Sequence, residues 1–135
     1  YAPVGEIAWR AVDLRLPLRT DGGHTGEDCL ARMNNTAESG LTRIFRGAMP
    51  VAVANRHESP LVLSSLRLGK VTLLHLPGEC MMEYQLFAQS LCDDTPVAVA
   101  AYADCGPGYI CTEAAFGEGG YEPQWAESLG ISKQF

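Results

Sequence analysis

The sequence predicts a single α/β or α+β domain built on a mixed β-sheet, and three observations lead there. Residues 61–76 read as two β-prone runs separated by Gly69-Lys70, the two-residue spacing that closes a β-hairpin. Residues 71–102 read as strand, helix, strand, a pattern that joins parallel strands through a right-handed crossover. The length of 135 residues suits one domain, or a piece of a larger one, and is too short for two. Apolar residues make up 47% and charged residues 19% of the chain, enough apolar surface to build a core and too little charge for a disordered segment.

Taken in order, Val12, Leu14, Leu16 and Leu18 alternate with Asp13, Arg15, Pro17 and Arg19, the period of a strand, and Pro17 assigns it to a sheet edge. Thr25 with Asp28 forms a capping box. Behind it, Leu30, Met33, Ala37, Leu41, Ile44 and Phe45 recur at helical spacing, with a break expected at Gly40, so this is one broken helix or two short ones. Leu61–Leu68 and Val71–Leu76 are the antiparallel arms of the hairpin. Pro77-Gly78 ends the second arm, and a helix is expected from Glu79 to Leu91. Its wide apolar stripe of Cys80, Tyr84, Phe87, Ala88 and Leu91, extended by Met82 and Leu86, calls for packing against a sheet. Val97–Tyr102 reads as a buried strand parallel to Val71–Leu76. The glycines between Cys105 and Pro123 suggest a long loop, and the last dozen residues carry little signal.

Ten basic against sixteen acidic residues give a net charge of −6, and the basic ones are scattered, which argues against nucleic acid as a partner. No apolar run reaches the ~18 residues of a membrane span. The chain begins at Tyr1 rather than Met, so a longer natural protein is expected, with any targeting signal upstream. The five cysteines form no Cys-x-x-Cys pair and are read as reduced thiols, with Cys80 and Cys92 in or beside the apolar helix. Asn34-Asn35-Thr36 matches a glycosylation sequon, a pattern too common to use.

The crossover places the ends of its two strands at one sheet edge, where ligand sites of α/β sheets collect. Glu79 follows the first strand, Asp104 and the Gly106-Pro107-Gly108-Tyr109 loop follow the second, so Glu79 and Tyr109 are expected to meet. Each also has an ordinary reading: Glu79 as a first-turn carboxylate facing the helix dipole, Tyr109 as a half-buried loop tyrosine. His75, beside a leucine run, reads as a satisfied core histidine or one supporting the site from behind, and His24 and His57 read as loop residues. A nucleophile at Cys105 beside Asp104 has no histidine near it in sequence. No Gly-x-Ser-x-Gly elbow, phosphate-binding loop or dinucleotide fingerprint is present.

The run Leu76-Pro77-Gly78-Glu79, the apolar helix, the Val-Ala-Val-Ala-Ala strand at 97–101, Gly108-Tyr109-Ile110-Cys111-Thr112 and Gly119-Gly120-Tyr121-Glu122 together resemble the neutral/alkaline (non-lysosomal) ceramidase family, most of all its bacterial branch. The resemblance is strongest from Leu66 to Pro123 and corresponds to the final third of the family's zinc-amidase domain. It implies that Glu79 and Tyr109 are zinc ligands and that Tyr121 polarises the substrate amide. From their positions in the sequence, His75 and Asp104 are the candidates to support that site from behind. The family's two histidine ligands come from motifs upstream of this segment and have no match here, so the zinc site is incomplete in this chain. Before Gly-Tyr the family usually carries Asn and Tyr where this chain has Asp104-Cys105-Gly106-Pro107. The expected function is thus the C-terminal part of a ceramidase-like, zinc-dependent hydrolase of lipid amides, completed by the rest of a catalytic domain upstream and, if the family's habit holds, exported or associated with a membrane surface. The alternative is a non-catalytic α/β binding or assembly module on the same scaffold.

Overall fold

The computed structural model describes residues 4–16, 23–55, 60–92, 94–103 and 108–128. Four strands form one mixed sheet: β1 (Ile7–Leu14), β2 (Leu61–Leu68), β3 (Val71–Pro77) and β5 (Val97–Ala103), in the order β1-β2-β3-β5. β2 and β3 are the expected hairpin, with Leu68 opposite Val71 across Gly69-Lys70. β3 and β5 pair in parallel, joined through helix α4 (Met82–Ser90). Two further strands, β4 (Glu79–Cys80) and β6 (Tyr109–Ile110), make a separate two-stranded parallel sheet.

β1 is an edge strand, as expected, but it runs earlier than the leucine alternation suggests. Its eight residues pair from Ile7↔Leu68 to Leu14↔Leu61, so the length of the hairpin arm beside it sets its extent. Pro17 and Leu18 lie outside the described residues. The sheet is only partly covered. On the face carrying Trp9, Leu66 and Leu73, Ile7 is 69% and Trp9 58% exposed. On the other face, Leu14 and Leu61 pack with Leu16, Ile110, Cys80 and Tyr84. A second small core joins Cys111, Ala115 and Ala126 to Met81, Tyr109 and Phe116.

The helical region differs from its reading in an informative way. Helix α1 (Gly26–Asn34) starts at the expected Thr25/Asp28 capping box, with Thr25 accepting from the Asp28 N–H and the Asp28 carboxylate accepting from the Thr25 N–H. The break falls at residues 35–39 rather than at Gly40, because Ser39 caps the next helix through the Thr42 N–H and makes Gly40 its first residue. From there α2 (Gly40–Arg43), a π-helical segment (Ile44–Ala48) and α3 (Met49–Asn55) run on without interruption.

Pro50 is the residue behind the π-segment. It has no N–H to give the carbonyl four residues back, and its ring crowds that carbonyl, so an ordinary α-turn cannot be completed there. The orphaned carbonyl is that of Arg46, and it accepts from Arg32 of α1 at 3.3 Å. Arg43 reaches the same helix, donating to the Met33 carbonyl at 2.8 Å. The two helices approach so closely at Gly47 that a β-carbon there would lie 2.7 Å from the Met33 backbone nitrogen.

Four expectations near the site change. The helix expected from Glu79 begins at Met82, and Glu79-Cys80 is a strand, because the Glu79 N–H bonds the Gly108 carbonyl at 2.7 Å and the Met81 N–H bonds that of Ile110. The wide apolar stripe of α4 is mostly open: Tyr84 and Ala88 turn inward, while Met82, Leu86, Phe87 and Leu91 are more than half exposed. Residues 105–123 are not one long loop, since β6, α5 (Glu113–Glu118) and the start of α6 (Tyr121–Ser128) lie there; Thr112 caps α5 through the Ala115 N–H. β5 is half-buried rather than buried, because it forms the other sheet edge.

The Gly47 contact yields a first prediction. Gly47→Ala should lower stability by about 1–3 kcal/mol, the scale of core overpacking, because the obstacle is backbone. Gly117→Ala, in the open on α5, should raise it by about 0.5–1 kcal/mol through helix propensity. Urea unfolding midpoints measure both, and equal effects would contradict the close approach.

Candidate functional site

The chain leaves β3 and β5 at the same end of the sheet, and both exits turn into β4 and β6. Gly78, at φ +71°, makes the first turn in a conformation that a side chain would strain. β4 and β6 then pair with Glu79 directly opposite Tyr109. The two residues singled out from opposite ends of the crossover are therefore neighbours.

A third residue joins them that the sequence reading passed over as the end of a strand. The β3–β5 ladder slips between His75↔Ala100 and Pro77↔Ala103, leaving one extra residue on β5. Such bulges bend a strand and re-aim a side chain. Here Tyr102 takes up the irregularity with φ +63°, the one described non-glycine residue with positive φ, and its N–H bonds the Gly78 carbonyl at 2.7 Å. A left-handed tyrosine costs on the order of 1–2 kcal/mol. Its phenol consequently engages the Glu79 carboxylate, and that hydrogen-bonding interaction is the main reason its pKa is pushed up to about 12, with desolvation and the charges of Glu79 and Tyr109 adding to it. Tyr109 is raised as well, first by desolvation, then by the charges of Glu79 and Tyr121 and by hydrogen bonding to Glu79. One carboxylate thus faces two protonated phenols.

Tyr121, the first residue of α6, stands edge-on to Tyr109 with ring centroids 6.0 Å apart. From it an aromatic series continues to Trp125, at 5.7 Å, and to Phe45 of the π-segment, at 5.6 Å from Trp125. These rings border a cleft of about 630 Å³, closed by Leu41, Thr42, Arg46 and Met49 of the helical run and by Gly108 and Tyr109. Nothing in the sequence joined residues 41–49 to this site. Pro50 marked the irregular helix, but a long-range docking decides what that helix faces.

Of the remaining candidates, His75 lies on the open sheet face, its Nδ1 3.4 Å from the Ser64 hydroxyl and its ring 5.4 Å from that of Trp9. Asp104, Cys105 and His57 lie outside the described residues. Cys29, Cys80, Cys92 and Cys111 are free thiols, and burial pushes Cys80 and Cys111 up to about 11, which leaves them un-ionised. Tyr84 donates to the Cys111 carbonyl at 3.2 Å, tying α4 to the chain after β6. Among the described residues no three His, Cys, Asp or Glu side chains gather where they could hold a metal ion, and none of the helices is long and apolar enough to cross a membrane.

A mixed sheet whose crossover strands deliver a carboxylate and tyrosines to one edge defines an α/β domain with its site at the strand ends. Among solved structures, the crystal structure of neutral ceramidase from Pseudomonas aeruginosa is similar to it, with a TM-score of 0.52 and 15% identity. The match covers 93% of this chain but 26% of that one, so the likeness is one of fold and spans about a quarter of the ceramidase. No protein-family model and no curated protein sequence matches the chain.

The tyrosine–carboxylate contact has a pH signature. A phenol with a raised pKa contributes stability that is complete below the unfolded value of ~10 and disappears as pH rises through the folded value. For Tyr102 that window runs from about 10 to about 12. Burial holds Tyr84 above the ordinary tyrosine range as well, so the Tyr102 ionisation is read from ultraviolet titration as the difference between the parent chain and Tyr102→Phe. In a Glu79→Gln background that difference should move back toward 10, and a difference left unmoved would contradict the contact.

Proposed function

We propose that the chain is the C-terminal part of a ceramidase-like, zinc-dependent hydrolase of amide bonds, to which it supplies Glu79, Tyr109 and Tyr121. The observation that carries this reading is the register pairing of Glu79 with Tyr109, with Tyr121 edge-on to the same ring. The ceramidase-like fold and the open apolar sheet face, which suits burial within a larger domain, add support.

Glu79 and Tyr109 would hold zinc through a carboxylate and a phenol oxygen. A zinc site takes about three protein ligands, and among the described residues no three His, Cys, Asp or Glu side chains gather where they could hold a metal ion. The donor set therefore fits part of a site, with the remainder to come from the polypeptide upstream. Zinc supplies Lewis acidity to amide hydrolysis. Tyr109 would have to give up its proton to serve as a ligand, a proton that desolvation first and then the charge of Glu79 hold on the phenol. Tyr121 would donate a hydrogen bond to the carbonyl oxygen as negative charge develops on it. Tyr102 would keep the Glu79 carboxylate in one orientation, the service that outer partners give metal ligands. The cleft beside Tyr109 and Tyr121 would take the acyl chain.

Elemental analysis tests this together with hydrolysis of an N-acyl sphingosine analogue. The chain alone should hold well under one equivalent of zinc and leave the amide intact, whereas a polypeptide extended upstream should bind one equivalent and lose it in Glu79→Ala. A full equivalent on the short chain would show that the site is completed from within it. No zinc on the extended polypeptide would favour the binding-module reading.

A further inference from the structure

The cleft that would receive the acyl chain carries one charge. Among its described lining residues Arg46 is the charged one, set between the apolar and aromatic side chains of Phe45, Met49, Tyr121 and Trp125. Glu79 is not among them. The position of Arg46 is built rather than incidental. Pro50 forces the π-turn that contains it, Arg32 holds its backbone carbonyl, and Gly47 seats the next residue against α1.

The guanidinium of Arg46 itself has no hydrogen bond or ion pair among the described residues, in contrast with Arg32 and Arg43, whose side chains are both engaged by backbone carbonyls. Arg46 is half-buried as a residue, and a guanidinium gains little from apolar and aromatic neighbours alone. It is complementary to a carboxylate, whose two oxygens match its planar fork. An alcohol headgroup makes poorer use of it, and an ammonium group is repelled.

We infer that the ligand of this cleft is an anionic amphiphile, an N-acyl amide whose amine portion ends in a carboxylate, with the acyl chain along Phe45, Met49 and Trp125 and the carboxylate on Arg46. This rests on the amidase reading for its amide, and it names a substrate class other than ceramide, whose headgroup is uncharged. Arg46 is then the residue that sets specificity, in the same cleft that Tyr109 and Tyr121 line.

A matched pair of probes tests it without any turnover. N-lauroylglycine and N-lauroylethanolamine share their chain and amide and differ in carboxylate against alcohol. Trp125 in the cleft wall reports binding by fluorescence once Trp9, on the remote sheet face, is changed to Phe. Below the micellar range, N-lauroylglycine should bind about tenfold more tightly, the scale of a charge-assisted hydrogen bond. Arg46→Gln should erase the preference and Arg46→Lys should keep part of it. Equal affinities in the parent chain, which decide the matter even if Arg46→Gln fails to fold, would overturn the inference, as would a preference that survives Arg46→Gln. Zinc content and hydrolysis do not enter, so a failure of this inference is distinguishable from a failure of the amidase reading on which it rests.

Discussion

The pairing of two residues with two residues, Glu79-Cys80 with Tyr109-Ile110, is the constraint on which the rest of the site depends. Two or three backbone hydrogen bonds contribute little by themselves, about 0.5–1.5 kcal/mol each. They hold because Ile110 and Cys111 are almost wholly buried behind them and because Tyr84 ties the same stretch to α4. They are possible at all because β3 and β5 are parallel, which sends both chain exits to one sheet edge. Had β5 run the other way, Glu79 and Tyr109 would leave at opposite ends. The bulge that places Tyr102 in a left-handed conformation belongs to the same junction, since the Tyr102 N–H is fixed to Gly78, one residue before Glu79.

The second half of the site is assembled by a different device. Pro50 denies its helix one hydrogen bond, the π-turn absorbs the mismatch, and Arg32 satisfies the carbonyl left over. A sequence feature that by itself only weakens a helix thereby becomes a joint between two helices. That joint sets Phe45, Arg46 and Met49 along one side of the cleft whose other side is Tyr109, Tyr121 and Trp125. The carboxylate end and the apolar end of the site thus come from segments well separated in sequence, 41–49 and 79 onward, and meet through the aromatic contacts of α6.

Much of the sheet was legible because its signals are local. Gly69-Lys70 between two β-prone arms admits few structures besides a hairpin, and a strand-helix-strand run in a short domain leads to parallel pairing. Thr25 and Asp28 announce a helix start through hydrogen bonds within four residues. The same locality explains the errors. Glu79 looks like the first turn of a helix when its only visible neighbours are those in sequence, and it is a strand because Gly108 and Ile110, thirty residues on, accept its segment's hydrogen bonds. The stripe of α4 is real as a pattern, but how much of it is covered depends on what else packs there, and Met82, Leu86, Phe87 and Leu91 stay open.

By itself, then, the amino-acid sequence determined the hairpin, the crossover, the capped helix and the meeting of Glu79 with Tyr109, all of which follow from short-range periodicity, turn chemistry and chain connectivity. The tertiary structure alone decided that Tyr102 turns back onto Glu79, that the glycine-rich stretch folds into a strand and two helices, and that Arg46 and Phe45 face the same cleft as Tyr121. Those outcomes hang on a slip in strand register and on the docking of one helix against another. Both are settled by contacts between distant residues, whose closeness no local pattern encodes.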